Sequence, residues 1–255
     1  VRVLAGIGLA ALTAAGAAAL AILAGRAPPR ELLPDLEQAV PAAVALRRED
    51  GRELVVFASA VDNVGEGPLE VRAARDPGDA TMSLRQVVRR ADGSAEESSA
   101  GGFLRYQRAE THAHWHLIGF ERYELRDSDG LRVVTARKAG FCLGDRYDTR
   151  RSARLRGEPR LPVWTDECGK NQPGLTSLVE GISVGYGDDY APRLEGQYVD
   201  VTGLAPGRYV LVHLVNLDRT LRESSYENNA ASVALRLGPD GLEILARCPD
   251  SSRCP

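Results

Sequence analysis

The stretch VDVTGLAPGRYVLVHLVNLDRTLRESSYENNAASVALRL, residues 199–237, alternates short aliphatic runs with polar punctuation. Tyr198 to Val201, Arg208 to Val215 and Ala231 to Leu237 read as strands, because β-branched and aromatic residues cluster there in runs too short for helices. Pro206 and Gly207 supply a turn before the second run, and a loop leads into the third. The same pattern extends towards the N-terminus. Further strands are expected from Glu53 to Val61, Leu69 to Ala73, Ser83 to Arg90, Ala113 to Leu125 and Leu131 to Ala136, with ADGS, SDG and GPDG as hairpin punctuation. Few windows carry helical periodicity, no internal repeat stands out, and residues 150–174 read as a long surface excursion. The expected fold is all-β, an antiparallel β-sandwich core with long loops.

A chain of 255 residues can bury a core that supports itself. Its net charge of −3 gives no sign of a polyanion-binding surface, so nucleic acid is not an expected partner. Arg2 is followed by an uncharged Ala/Gly/Leu run from Val3 to Gly25, closed by Arg26 and two prolines. Residues 1–26 therefore read as a signal peptide or an N-terminal membrane anchor, a hydrophobic helix long enough to span a bilayer. Either reading makes the protein secreted or extracytoplasmic, and leaves open membrane anchoring through residues 3–25. Residues 27–45 read as a linker. The four cysteines suit an oxidising compartment, and Cys142–Cys168 and Cys248–Cys254 are the expected pairs. The second closes a small loop in a C-terminal tail, residues 241–255. A zinc site competes for these cysteines, but no CxxC spacing supports it. Glu223 to Asn229, ESSYENN, resembles a loop common before the last strand of immunoglobulin-like modules, so the C-terminal half alone suggests a binding module.

Three of the four histidines fall at alternate positions in ETHAHWHLIGFERYEL, residues 110–125. In a strand His112, His114 and His116 share one face, at roughly 6–7 Å spacing, while Ala113 and Trp115 point the other way. Three imidazoles on one face can converge on one ion. Imidazole suits copper, zinc and nickel, and a nitrogen-rich set favours Cu(II) by intrinsic affinity. The plainer alternative is a solvated strand whose histidines have no ligand. His213, in YVLVHLVN, reads as structural. A metal does not by itself name a reaction. Zinc would suit a hydrolase with Glu110, Glu121 or Glu124 as base, and copper would suit oxidation by dioxygen.

Other motifs bear on that choice. After the histidines come FERYEL (Phe120–Leu125), KAGFCL (Lys138–Leu143), GISVG (Gly181–Gly185) and DDY (Asp188–Tyr190). QYVDVT (Gln197–Thr202), PGRYVL (Pro206–Leu211) and YENN (Tyr226–Asn229) follow. In this order, and with DNVGEGPLEV ahead of them, they resemble the catalytic domain of the lysyl oxidase family over most of residues 50–237. The resemblance implies a catalytic domain over residues 46–240, with copper on His112, His114 and His116. It also implies that Lys138 and Tyr190 combine into the self-made cofactor lysine tyrosylquinone. The chain has 30 arginines and two lysines, Lys138 and Lys170. An amine at position 138 has a chemical reason, since an arginine guanidinium stays protonated and could not add to the tyrosine ring.

The implied function is that of a copper-dependent amine oxidase. A primary amine, either peptidyl lysine or a small amine, is oxidatively deaminated to an aldehyde, with dioxygen consumed and hydrogen peroxide and ammonia released. Animal members act on peptidyl lysine in matrix proteins, but nothing in this chain identifies a matrix partner. The net charge of −3 mildly favours cationic amines through a weak, salt-screened field. Two departures stand out. Arg122 occupies the place of a histidine carried by animal members in the F-x-x-Y segment, which makes Asp188 and Asp189 the first candidates for the base. Tyr186 and Gly196 stand where animal members carry a cysteine pair, as expected for loss of one disulfide. The alternatives to an oxidase are a metal-binding surface module without catalysis and a zinc hydrolase.

Overall fold

The computed structural model describes residues 27–108, 112–136, 138, 140–149 and 152–255. The expected hydrophobic segment of residues 3–25, and Glu110, lie outside these. Among the described residues no helix is long and apolar enough to cross a membrane. The elements are all strands: β1 Glu31–Leu32, β2 Leu36–Gln38, β3 Ala42–Glu49, β4 Arg52–Asn63, β5 Leu69–Ala74, β6 Thr81–Arg90, β7 Ala95–Arg108, β8 Ala113–Ile118 and β9 Glu121–Arg126. They continue as β10 Arg132–Thr135, β11 Gly140–Phe141, β12 Tyr147–Asp148, β13 Ser177–Ile182, β14 Tyr186–Tyr190, β15 Tyr198–Asp200, β16 Gly207–Val215, β17 Ala230–Gly238 and β18 Gly241–Cys248. The all-β expectation therefore holds.

Three antiparallel sheets are formed. The first runs β11-β8-β7-β6-β5-β13, with β1 on the end of β6; the second runs β10-β9-β16-β17-β18. The third runs β12-β14-β4-β15, with β2 and β3 also along β4. One core joins them, including Phe57, Leu69, Leu104, Trp115, Tyr123, Leu211 and Leu235. Each fully buried side chain of this size stabilises the fold by about 1.5–3 kcal/mol relative to exposure. Alternation along β16 explains why both its faces are apolar. Leu211 and Val215 face this core, whereas Val210, Val212 and Leu214 form a second cluster with Cys254 on the other face.

Several boundaries differ from the sequence reading. The single strand expected from Ala113 to Leu125 is two, because Gly119 takes a φ of 85°. There the chain leaves the first sheet as β8 and enters the second as β9. β7, AEESSAGGFLRYQR, carries too much Ser, Gly and Glu to read as a strand, yet it lies between β6 and β8. The linker expected over residues 27–45 instead carries β1, β2 and the start of β3. Leu36 is fully buried, and its N–H donates to Glu223 Oε2 at 2.7 Å. The tail expected over residues 241–255 begins with β18, paired along β17. Glu31–Pro255 is thus one compact unit. Both disulfides, Cys142–Cys168 and Cys248–Cys254, are present.

ESSYENN has a structural task. Glu223 is buried and also accepts hydrogen bonds from Asn216 Nδ2 at 2.5 Å and Asn229 Nδ2 at 2.8 Å. It thereby ties the loop before β17 to the N-terminal strands.

Candidate functional site

β8 positions the histidines. In the β7–β8 ladder Arg105 lies opposite His116 and Gln107 opposite His114, while Tyr106 and Trp115 pair on the other face. Trp115 is fully buried there, which fixes the register and puts the histidines together on the opposite face. His112 immediately precedes the strand and joins the same group. Ring centroids are 4.6 Å apart for His112 and His114, 4.4 Å for His114 and His116, and 5.4 Å for His112 and His116. One ring nitrogen from each lies within 4.8 Å of the other two. Two ligands at the usual ~2.0–2.1 Å from one ion lie at most ~4.2 Å apart, so a small closing movement of the rings would bring all three onto a single ion.

The electrostatics favour lone pairs over protons. Burial is the main cause pushing all three imidazoles below their ordinary value, His114 to about 4 and His116 to about 3. His116 Nδ1 lies 2.5 Å from Gln107 Oε1. With that oxygen as acceptor, Nδ1 carries the proton and Nε2 is left for a ligand. Nε2 is also the atom facing His114 Nε2, at 2.5 Å. On the other side of the His116 ring, a Cβ at Gly140 would fall 2.8 Å from its Nδ1, so only glycine lets β11 approach. If the three histidines hold copper, Gln107→Ala should weaken its binding about 10- to 100-fold, and Gln107→Glu, which keeps an acceptor, should restore most of it. Titration against a competing chelator would decide this; unchanged affinity in Gln107→Ala would remove Gln107 from the site.

Lys138 and Tyr190 are 52 positions apart and meet. The Lys138 ammonium nitrogen lies 4.7 Å from the Tyr190 ring centroid and 5.1 Å from that of Phe141, whose ring packs edge-on against Tyr190 at 5.1 Å. Lys138 lies between β10 and β11, and β11 is hydrogen-bonded to the histidine strand. Tyr190 closes β14, held by β4 in the pairing Tyr190–Ser59. The same lysine lines a cavity of about 460 Å³ with His112 and His116, and so connects the imidazoles to Tyr190. Burial pushes Lys138 below its ordinary value, opposed by Glu121, Asp188 and Glu195 in that order. Tyr190 is pushed well up by burial and then by Asp188, to whose Oδ2 its hydroxyl donates at 2.6 Å.

The carboxylates expected near this site divide. Asp188 is buried, touches Tyr190 and lies 3.6 Å from Arg146. Asp189 points to the other face of β14 and is exposed. Glu124 is held by Arg122, Arg126 and Arg132, so Arg122 serves an ion-pair cluster. His213 is buried between the rings of Phe57 and Tyr123, at 4.7 and 4.4 Å.

Glu121 had a place in the sequence only as a possible zinc-hydrolase base. It is 2% exposed, accepts from Ser59 Oγ at 3.0 Å, and leaves Oε1 without a hydrogen-bond partner. Its pKa is raised by burial from 4.5 to about 7. The unfolded chain gives up this proton near 4.5 and the folded chain holds it until about 7. The stabilisation is therefore complete below 4.5 and fades as pH rises through about 7, on the order of 3 kcal/mol in total. Glu223, also raised to about 7 by burial, adds to the same decline. Urea midpoints are expected to fall from about pH 5 to about pH 8, and more gently in Glu121→Gln. Equal slopes in the two proteins would exclude Glu121 as a source.

Comparison with known proteins bears on the whole arrangement. The lysyl oxidase family model matches residues 88–248. Lysyl oxidase homolog 2A of Danio rerio is 30% identical over 137 residues, covering 53% of this chain and 16% of that protein. Protein-lysine 6-oxidase of Rattus norvegicus is 31% identical over 127 residues, covering 49% of this chain and 27% of that protein. Lysyl oxidase homolog 3 of Homo sapiens is 28% identical over 122 residues, covering 48% and 14%. The matched regions are thus about a quarter or less of these relatives' lengths.

Proposed function

Since the chain belongs to the lysyl oxidase family, we propose that it is a copper-dependent amine oxidase in which Lys138 and Tyr190 provide lysine tyrosylquinone. The overall reaction takes a primary amine, dioxygen and water to an aldehyde, ammonia and hydrogen peroxide. His112, His114 and His116 would hold the copper, a fit supported by one buried and two half-buried imidazoles, all pushed towards the neutral form, with nitrogens within 4.8 Å of one another. Bound copper and the quinone would supply the redox chemistry, accepting two electrons from the amine and passing them to dioxygen.

The single observation that carries this reading is the Lys138 ammonium nitrogen 4.7 Å from the Tyr190 ring centroid, in a cavity shared with the histidines. Lys138 would react as the neutral amine, which its burial favours. Asp188 orients Tyr190 through the 2.6 Å hydrogen bond and would take up protons at that atom. Phe141 packs edge-on against Tyr190 within the same buried core, which keeps water from the ring. A binding module or a zinc hydrolase would leave the Lys138–Tyr190 contact without a task. Two disulfides support an extracytoplasmic setting.

Peptide mapping by mass spectrometry of protein produced with copper tests the proposal. A joined peptide carrying both Lys138 and Tyr190 is expected. Separate, unmodified peptides from folded protein that holds copper would sink the oxidase reading in favour of a metal-binding module.

A further inference from the structure

The cavity beside the histidines is lined by His112, His116, Lys138, Arg105, Arg108 and Glu195, among others. Arg105 lies directly across the β7–β8 ladder from His116, so its side chain emerges on the histidine face. Arg108 ends the same strand. Elsewhere on this sheet arginines are neutralised: Arg72 by Glu70 and Glu97, Arg85 by Glu97, Arg89 by Glu70 and Arg90 by Glu96. Among the described residues no ion pair or hydrogen bond engages the guanidinium of Arg105 or of Arg108. Glu195 is the one carboxylate on the described wall, and it acts on His112 and Lys138.

We infer that the amine this site prefers carries a carboxylate beside it, an inference that rests on the amine-oxidase reading. The substrate's ammonium would be drawn to the Lys138 end by Glu195, and its carboxylate would meet Arg105 and Arg108. A guanidinium binds a carboxylate through paired N–H donors, which gives direction as well as attraction. Local charge outranks net charge here. The wall charges act within the ~10 Å over which 0.1 M salt leaves a field effective, whereas the chain's net −3 is spread over the whole surface. A polycation would meet two guanidinium groups that no described carboxylate pairs, and be disfavoured. Two sources share this chemistry, a free ω-amino acid and a lysine flanked by Asp or Glu in a protein.

The test compares Ac-Glu-Lys-Glu-NH2, Ac-Gly-Lys-Gly-NH2 and Ac-Lys-Lys-Lys-NH2, and aminohexanoate against hexylamine. Two readouts are used: peroxide release by the copper-loaded protein, and calorimetric binding to the copper-free protein. The acidic peptide is expected to show about tenfold higher kcat/KM and tighter binding than the glycine peptide, an advantage that shrinks as salt is raised. In Arg105→Gln/Arg108→Gln the ratio should fall to about one. An advantage for aminohexanoate over hexylamine assigns the source to free amino acids; an advantage confined to peptides assigns it to acidic protein segments. Equal use of the three peptides with no advantage for aminohexanoate over hexylamine, or preference for the lysine-rich peptide, overturns the inference. If no amine yields peroxide, the oxidase reading fails separately. The copper-free binding preference then decides, its retention supporting the inference and its absence overturning it.

Discussion

Lys138→Arg is expected to abolish amine oxidation while leaving the fold and copper binding in place. The substitution keeps a positive charge above the rings of Tyr190 and Phe141, where the lysine nitrogen now lies 4.7 and 5.1 Å from the centroids. A guanidinium stacks on aromatic faces at least as well as an ammonium, so packing should survive. What is lost is nucleophilic nitrogen. Burial pushes Lys138 towards its neutral amine, and no comparable shift neutralises arginine near pH 7. Without the covalent tie there is no cofactor, and the rate enhancement it supplies, on the order of 10⁶ or more for enzymes generally, goes with it. Peroxide release from an alkylamine, peptide mapping and bound copper would be measured together on one preparation. Peroxide at the parent rate from Lys138→Arg would show that the chemistry does not pass through this lysine.

His116→Ala is expected to lower copper affinity by more than about 100-fold, beyond the ~10- to 100-fold that an outer partner such as Gln107 commands. His116 is 4% exposed and fixed on two sides, by Gln107 at Nδ1 and by Gly140 against the ring. Its ligand nitrogen is therefore presented at little entropic cost, and two imidazoles cannot replace that third donor. Because the proposed cofactor forms only with copper, the Lys138–Tyr190 peptide should also be absent from this variant. Chelator competition, followed by peptide mapping of copper-treated protein, reads both effects. Parent-like affinity with a folded chain would place the copper elsewhere.

Some of this was decided by the sequence alone. Period two is a property of neighbouring residues, so the alternating histidines, the short aliphatic runs and the turns of residues 199–237 identified an all-β chain with three imidazoles on one strand face. The cysteine pairs were expected from the oxidising compartment, but four cysteines allow three pairings and only the structure chooses among them. The opposed fates of Asp188 and Asp189 follow from the same alternation, but only once β14 is known to exist and which of its faces is covered. The remaining features are non-local. Gly119 divides one expected strand between two sheets, and β7 is a strand because β6 and β8 flank it, despite its composition. Lys138 meets Tyr190 because β11 pairs with the histidine strand while β14 is held by β4. Glu121 becomes a buried acid with its pKa pushed up to about 7 because the core excludes water around it, a rise that the hydrogen bond from Ser59 on β4 only partly opposes. Arg105 acquires its place beside His116 from ladder register, which no local pattern in either strand contains. Side-chain direction follows from the backbone's own repeat, but burial, register and the charge a group sees are set by whichever distant strand packs against it.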